Sequence, residues 1–263
     1  MNRRIASWPG TALLLAVIVF MLAPIVITVL VSFSPSSVFD LPAGELSLRW
    51  YQRIPRLENF WGSLALSAQL AAVSTLVSLV LGTLCAIAIV RGQFFGREAL
   101  ATLAVSPLML PGLVIGIALL QYFRGVGLLD VKLSLVIAHV VVTVPYVMRT
   151  VLASLYLFDF RLIDAARTLG CTYGQALRKV MVPALAPAFL TAGLFAFLAS
   201  FDNYPVSIFL TDVRNKTLPI QLLQYIEESP NPTIAAISTL MVGLTVVIML
   251  VGDRLVGLRR FAA

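Results

Sequence analysis

Three consecutive polar residues, Asp202, Asn203 and Tyr204, interrupt an apolar part of the sequence and could bind a cation. They follow an apolar helix predicted over 184–201 and open the segment DNYPVS, where Pro205 prevents a simple continuation of that helix. A carboxylate with a neighbouring amide and aromatic ring can hold an ammonium group by ion pairing and a cation–π contact. Alternatively, Asp202 caps or braces a helix end.

The composition indicates a membrane protein. Of the 263 residues, 60% are hydrophobic and 12% are charged, and the mean hydropathy is +0.97, whereas ordinary soluble domains carry about 25% charge. The net charge of +7 would suggest a nucleic-acid partner in a soluble protein. No basic stripe with interleaved aromatic residues is present, so we expect no nucleic acid and a lipid bilayer as the surroundings.

Six apolar stretches are each long enough to cross the hydrocarbon core, which takes about 20 helical residues. The sequence therefore predicts an all-α, polytopic fold in which residues 1–263 form a single transmembrane domain. The first stretch exceeds the apolar region of a signal peptide, about 7–15 residues, so we interpret it as a retained span. The predicted spans are 10–32, 62–90, 99–123, 132–157, 184–209 and 234–257.

Basic residues are distributed unequally between the two sides of these spans. If the N-terminus lies inside, the inner segments hold eleven Lys and Arg residues against four acidic ones, and the outer loops hold seven against eight. Because short cytoplasmic loops are enriched in Lys and Arg, both termini and the 158–183 loop are predicted to be cytoplasmic.

Motifs of catalysis are missing from the sequence. It contains no nucleotide-binding glycine-rich loop, no G-x-S-x-G and no zincin pair, and its one histidine is His139. We therefore expect neither a catalytic nor a metal site, and no cofactor. His139 is interpreted as a packing residue of the bundle in preference to a proton relay, and Cys85 and Cys171 as structural thiols. Arg149, within snorkelling reach of the interface, is interpreted as structural in preference to a solute contact.

The loop DFRLIDAARTLGCTYGQALRKVMVPALAP, residues 159–187, is predicted to contain two short helices. Asp159 is the predicted N-cap of the first, and Gly170 stands where a left-handed C-terminal residue is needed. Helical spacing predicts one apolar stripe on this helix: Leu162, Ala165, Ala166 and Leu169.

Thr172 and Gln175 form a predicted capping box for a second helix over 173–182, which Pro183 closes, and Pro187 falls in the first turn of the fifth span. An amphipathic helix lying on lipid is the alternative for this loop. The alanine-rich stripe lacks Trp and Phe, so docking into a groove of a partner protein is favoured.

The spacing Asp164-Ala165-Ala166-x3-Gly170-x9-Val180-x-Val182-Pro183 resembles the EAA loop of permease subunits of binding-protein-dependent ABC importers. The chain has Asp for the usual Glu, and Val for the usual Ile and Leu. The resemblance implies that this loop sits in a groove of a partner ATPase and couples its closure to transport. It implies the coupling residues Asp164, Ala165, Ala166, Gly170, Val180 and Pro183.

Three further segments resemble spermidine/putrescine-type permeases: 106–112, 144–150, and 200–207 followed by 218–221. The resemblance implies a type I importer with two permease subunits, two cytoplasmic ATPases that bind the ATP and Mg, and a periplasmic or lipid-anchored solute-binding protein. It also implies that the chain lies in the bacterial inner membrane. Such systems usually pair two different permeases, so we expect a heterodimer.

The expected solute is a small organic cation, most simply a polyamine moved by alternating access past Asp202, Asn203 and Tyr204. Binding of the external receptor is an alternative role for Asp202. The same importer class also serves amino-acid-like solutes and aminophosphonates, which remain alternatives. A membrane-embedded enzyme would need clustered acidic or histidine residues, and the chain offers scattered ones. A non-transporting scaffold is the remaining competitor.

Overall fold

Long helices form where apolar residues continue for several turns, and one such helix ends at the Asp202–Asn203 pair. The computed structural model describes residues 8–42 and 44–256, and within these ranges all regular structure is helical. This confirms the predicted all-α class. The helices of the described ranges are α1 Trp8–Ser32, α2 Arg49–Arg53, α3 Phe60–Arg91, α4 Arg97–Val105, α5 Gly112–Gly125, α6 Val131–Leu157, α7 Arg161–Thr168, α8 Tyr173–Ala176, α9 Val182–Ala184, α10 Ala186–Phe201, α11 Tyr204–Ser207, α12 Leu218–Glu228 and α13 Thr233–Val256.

Four helices, α1, α3, α6 and α13, are each long and apolar enough to cross a membrane. They lie where the first, second, fourth and sixth spans were predicted, although residue 257 falls outside the described residues. The third predicted span, 99–123, is a bent pair of helices. The fifth, 184–209, begins at a second bend, and its helix ends at Phe201, as the predicted helix over 184–201 does. Arg97–Met109 meets α5 at 109°, and Tyr173–Ala184 meets α10 at 69°. Six crossings result only if each bent pair crosses once.

The chain divides into two packing units. The first comprises the described residues up to Phe60 together with 222–246. In it, the Trp50 indole N–H donates to the Ser34 carbonyl at 2.8 Å, and the Ser32 and Tyr51 hydroxyls are 2.7 Å apart. These bonds tie α2 to the end of α1.

The second unit comprises residues 61–221 and the end of α13. Helix α6 is at its centre and packs along α10. One buried cluster joins these helices to α3 and to the 159–187 loop, and a second joins α3, α5, α6 and α11. Both candidate sites predicted from the sequence are therefore built on the central helix.

In helix α3, large apolar side chains are mostly exposed and small residues are mostly buried, which is the opposite of a helix in a soluble protein. Most of its buried residues are small, although Leu70 and Ile89 are also buried. The small ones are Ser63, Ser67, Ala71, Ser74, Ser78, Gly82 and Ala86. Its exposed face carries large ones: Val73, Leu76, Val77, Val80 and Leu84. This distribution is expected when apolar residues face lipid and small ones let helices approach. Accordingly, the Ser78 and Thr143 hydroxyls are 2.7 Å apart, and a Cβ on Gly82 would be 2.8 Å from Val147 Cγ1.

Candidate functional sites

Helix α7 is held to the second unit by one side chain and a complete C-terminal cap. Ile163 is 0% exposed and belongs to the cluster around α6. Gly170 has φ +90°, and its N–H donates to the Arg167 carbonyl at 3.0 Å. The Cys171 N–H donates to the Ala166 carbonyl at 3.1 Å, which completes a Schellman motif. The predicted left-handed conformation of Gly170 is confirmed.

The opposite face of α7 presents apolar side chains to the surroundings. Leu162 is 50% exposed and Leu169 is 86% exposed, and Ala165 is exposed beside them. The fourth member of the predicted stripe, Ala166, is half-buried at the edge of this face. The stripe is thus an outward face, and the buried contact of α7 is instead Ile163, which was not in it.

The start of α7 differs from the prediction by one residue. Phe160, not Asp159, occupies the N-cap position. Asp159 still serves the helix end, because its Oδ1 accepts the backbone N–H and the side-chain Nε–H of Arg161, each at 3.0 Å. The hydrogen bond from the Arg161 side chain and then that from its backbone hold the pKa of Asp159 below its usual value.

The second half of the loop begins with the predicted capping box. The Thr172 hydroxyl accepts the Gln175 N–H at 3.3 Å, and Gln175 Oε1 accepts the Thr172 N–H at 3.0 Å. Pro183 does not close the helix as predicted, because the helical run continues through a π-helical stretch, Leu177–Met181, and α9. Proline has no N–H for the carbonyl four residues back and crowds it, which a wider turn relieves. The bend falls at Leu185.

Buried side chains fix this second half to the same cluster that holds Ile163: Ala176, Met181 and Leu185. The predicted coupling residues therefore lie in two environments. Asp164, Ala165, Gly170 and Pro183 are exposed, whereas Ala166 and Val180 are half-buried against the cluster. The loop presents one surface outward and is rooted in the helices by the other.

Arg91 at the end of α3 joins both halves of the loop, which the sequence did not indicate. Its guanidinium lies 5.0 Å from the Phe160 ring centroid and 5.5 Å from that of Tyr173. Its Nη1–H also donates to the Tyr173 hydroxyl at 2.9 Å. A single cation thus touches the residue before α7 and the first residue of α8.

The second candidate site is the break between α10 and α11. The irregular stretch is shorter than predicted, because only Asp202 and Asn203 lie outside a helix and Pro205 sits in the first turn of α11. The backbone there is satisfied: the Asn203 N–H donates to the Ser200 carbonyl at 3.2 Å and the Tyr204 N–H to the Asp202 carbonyl at 2.9 Å. Non-helical backbone at membrane depth requires such partners.

A cavity of about 250 Å³ opens at this break. Asp202 and Asn203 line it, together with Tyr146, while Tyr204 is not among the lining residues. Among the described residues, the Asp202 carboxylate has no hydrogen-bond or ion-pair partner. Asn203 Oδ1 accepts the Val206 N–H at 3.2 Å and so caps α11. The carboxylate is the group left to bind a cation, and Tyr146 supplies the aromatic wall. Arg149, on the same helix as Tyr146, is exposed and does not line the cavity.

Helix α5 approaches the break through two glycines that the sequence interpretation did not use. A Cβ on Gly112 would be 2.9 Å from Pro205 Cβ, and one on Gly116 would be 2.7 Å from Phe209 Cδ2. Their G-x-x-x-G spacing is a known signal for close helix packing in membranes, and it could have identified this contact. Tyr146 and Gly112 also lie in the segments 144–150 and 106–112 that carried the family resemblance.

His139 lies beside the break and is buried. Its Nδ1 is 2.7 Å from the Ser200 hydroxyl, and its Nε2 is 2.9 Å from the Ser207 hydroxyl. Among the described residues no titratable side chain bonds to its ring, which is consistent with a structural histidine. Within the same residues, no group of three or more His, Cys, Asp or Glu side chains could hold a metal ion.

The fold is that of ABC transporter membrane subunits. The structure resembles that of a bacterial ABC transporter involved in the import of the acidic polysaccharide alginate, with a TM-score of 0.70 and 19% identity over 97% of this chain and 99% of the other. It also resembles the MetNI methionine ABC transporter in an inward-facing conformation, with a TM-score of 0.57 and 23% identity over 80% and 98% of the two chains.

Sequence comparison gives the family. Residues 78–259 match the family described as binding-protein-dependent transport system inner membrane component, and the chain belongs to it. It is 29% identical to the spermidine/putrescine transport system permease protein PotC of Haemophilus influenzae, over 92% of this chain and 94% of that protein. It is 29% identical to the putrescine permease PotI of Escherichia coli, over 90% and 86%. The trehalose permease SugB of Mycobacterium tuberculosis is 29% identical over 71% and 70%.

The chain is therefore a permease subunit of a type I ABC importer, a multi-pass protein of the inner membrane, and not an enzyme. Membership of this family implies an ATPase, a solute-binding protein and a second permease as partners.

Proposed function

We propose that this permease carries a small organic cation, specifically a polyamine such as putrescine or spermidine. The observation that carries the proposal is the Asp202 carboxylate, which stands at the 250 Å³ cavity without a partner among the described residues. An acid at membrane depth is costly unless something pairs with it, and a passing ammonium group would. The polyamine cargo of the relatives PotC and PotI, each matched over about nine-tenths of this chain, supports the same class.

A neutral sugar is the second candidate, because the trehalose permease SugB is also a relative. Amino-acid-like solutes and aminophosphonates belong to the same importer class. The cognate solute-binding protein separates these candidates in a thermal unfolding assay with putrescine, spermidine, trehalose and an amino acid. A ligand at 100 times its Kd stabilises its receptor by about 2.7 kcal/mol. We expect the polyamines to raise the Tm, and a shift by trehalose alone would contradict the proposal.

In the proposed orientation both termini and the 158–183 loop are cytoplasmic, and each bent pair crosses the membrane once to give six crossings. The exposed face of α7, with Leu162, Ala165 and Leu169, docks onto an ATPase that binds ATP and Mg. A second ATPase serves a second, different permease. Closure of the ATPases pushes on a loop rooted in the α3–α6–α10 cluster and turns the cavity outward to a periplasmic or lipid-anchored receptor.

Affinity purification of the tagged chain from its own cells tests this assembly. We expect one ATPase and one further permease of different mass to be recovered with it, in a ratio of two ATPases to one of each permease. A tag labelled from the outside of intact cells at either terminus would contradict the proposed orientation. Recovery of this chain paired only with itself would contradict the heterodimer.

A further inference from the structure

His139 links the two helices that flank the break. Its two ring nitrogens bond to Ser200 in the last turn of α10 and to Ser207 at the end of α11. The two serines lie on either side of Asp202 and Asn203 in the sequence, and all three bonded side chains are buried. One rigid imidazole on α6 therefore bridges the break.

The hydrogens of this bridge can be assigned from the bonds around it. The Ser207 hydroxyl donates its only hydrogen to the Asn203 carbonyl, 2.5 Å away, so it must accept at the His139 side. His139 Nε2 therefore carries the hydrogen, and Nδ1 is the acceptor of the Ser200 hydroxyl. The hydrogen bonds run in one direction, from Ser200 through the ring to Ser207 and the Asn203 carbonyl.

The backbone of His139 is itself fixed. The Thr143 hydroxyl donates to the His139 carbonyl at 2.6 Å, so the Ser78 hydroxyl, 2.7 Å from Thr143, is the donor in that pair. This second run of bonds reaches α3. The backbone that carries the imidazole is thus linked to α3 through the Thr143 and Ser78 hydroxyls.

We infer that His139, as the Nε2–H tautomer, is a positioning residue that holds both ends of the break through Ser200 and Ser207 and so sets where the Asp202 carboxylate stands at the cavity. A main-chain break without this bridge would keep only local bonds, and the direction of the carboxylate would be less restricted. The relevance to transport rests on the proposed role of Asp202, but the positioning can be measured without any solute.

The test uses the full complex with Asp202→Cys in a background carrying Cys85→Ala and Cys171→Ala. The measured quantity is the rate at which a positively charged methanethiosulfonate labels the cysteine at 202. The amide of a glutamine at 139 can reach the Nε2 position and so restore the hydrogen bond to Ser207. The shorter asparagine places its amide near Nδ1 and cannot reach Ser207. We expect His139→Leu and His139→Asn to change the rate about fivefold or more, and His139→Gln to stay within about twofold of the parent.

Ser207→Ala provides an independent arm if the histidine variants fail to insert. It should change the labelling rate as His139→Asn does, and combining the two should add nothing further, because both cut the same bond. Ser154→Ala is the matched control, since that hydroxyl bonds only to a carbonyl of its own helix. An unchanged rate in Ser207→Ala, or no rescue by glutamine relative to leucine, would overturn the inference. Either result leaves the identity of the solute untouched.

Discussion

Arg91 and Tyr173 are separated by 82 positions in the chain, yet Arg91 Nη1–H donates to the Tyr173 hydroxyl at 2.9 Å. The same guanidinium lies over the rings of Phe160 and Tyr173. The end of α3 is therefore linked to both short helices of the proposed ATPase-docking loop. A displacement of the loop could therefore be transmitted to α3 through Arg91 as well as through the buried cluster around α6.

Replacing Arg91 tests that route. Arg91→Ala should lower the transport-coupled fraction of ATPase activity severalfold, because it removes one hydrogen bond and two cation–π contacts of about 0.5–1 kcal/mol each at an exposed site. Receptor-stimulated and basal ATPase rates of the reconstituted complex measure this. Arg97→Ala is the control, since among the described residues Arg97 donates a side-chain hydrogen bond only to the Gly92 carbonyl. Equal stimulation in both variants would show that Arg91 transmits nothing.

Gly170 offers a test of loop geometry. Its φ of +90° is strained for any residue with a Cβ, so Gly170→Val should destabilise the turn by about 1–2 kcal/mol even though nothing crowds the site. Less ATPase should co-purify while the amount of inserted chain stays the same. Gly174→Ala is matched, because Gly174 is also uncrowded but has helical φ. A bulky residue at 170 with normal ATPase recovery and uptake would refute the proposed contact.

Asp202→Asn should raise the KM for labelled putrescine about 10- to 100-fold, because it removes the charge from a charge-assisted hydrogen bond to an ammonium group. Asp202→Glu should retain part of the affinity. Uptake by proteoliposomes with the receptor present measures both. Glu45→Gln, which removes an exposed acidic charge elsewhere, should be neutral. If Asp202→Asn transports with unchanged KM and rate, the carboxylate is not part of the solute pathway.

The contact between α5 and α11 predicts an asymmetry between glycines of one helix. Gly116→Ala places a methyl group 2.7 Å from Phe209 Cδ2 and 3.0 Å from the Pro205 carbonyl, so it should cost about 1–3 kcal/mol of stability. Gly125→Ala meets open space and should not destabilise. Thermal unfolding of the purified complex in detergent compares them. Identical Tm values for Gly116→Ala and Gly125→Ala would mean that α11 moves away from the added methyl group without loss of stability.

Local chemistry explains which features could be predicted. The Thr172–Gln175 capping box and the left-handed Gly170 depend on neighbouring residues, and both are present as expected. The break near Asp202 was likewise indicated by Pro205. The inward face of α7 could not be predicted. Leu162 and Ile163 are each followed, three to seven residues later, by apolar or small residues, so either could have begun the buried face. Only the cluster around α6 decides which of them is buried.

Long-range geometry accounts for the remaining differences. Pro107 and Pro111 lie within the third predicted span, 99–123, but the sequence interpretation drew no bend from them, and no local rule gives its angle of 109°. Arg91 reaches a partner across 82 positions, and His139 finds its serines 61 and 68 positions away. These partners become visible only once the helices are packed.

The exposed leucines of α7 affect how stable the subunit is against degradation in the cell. Leu162 and Leu169 are exposed on the proposed cytoplasmic side whenever no ATPase covers them. A subunit without its ATPase therefore exposes an apolar surface that chaperones and proteases can bind. Synthesis in step with its ATPase would protect the subunit, and its abundance should then follow that of the ATPase and not only its own expression.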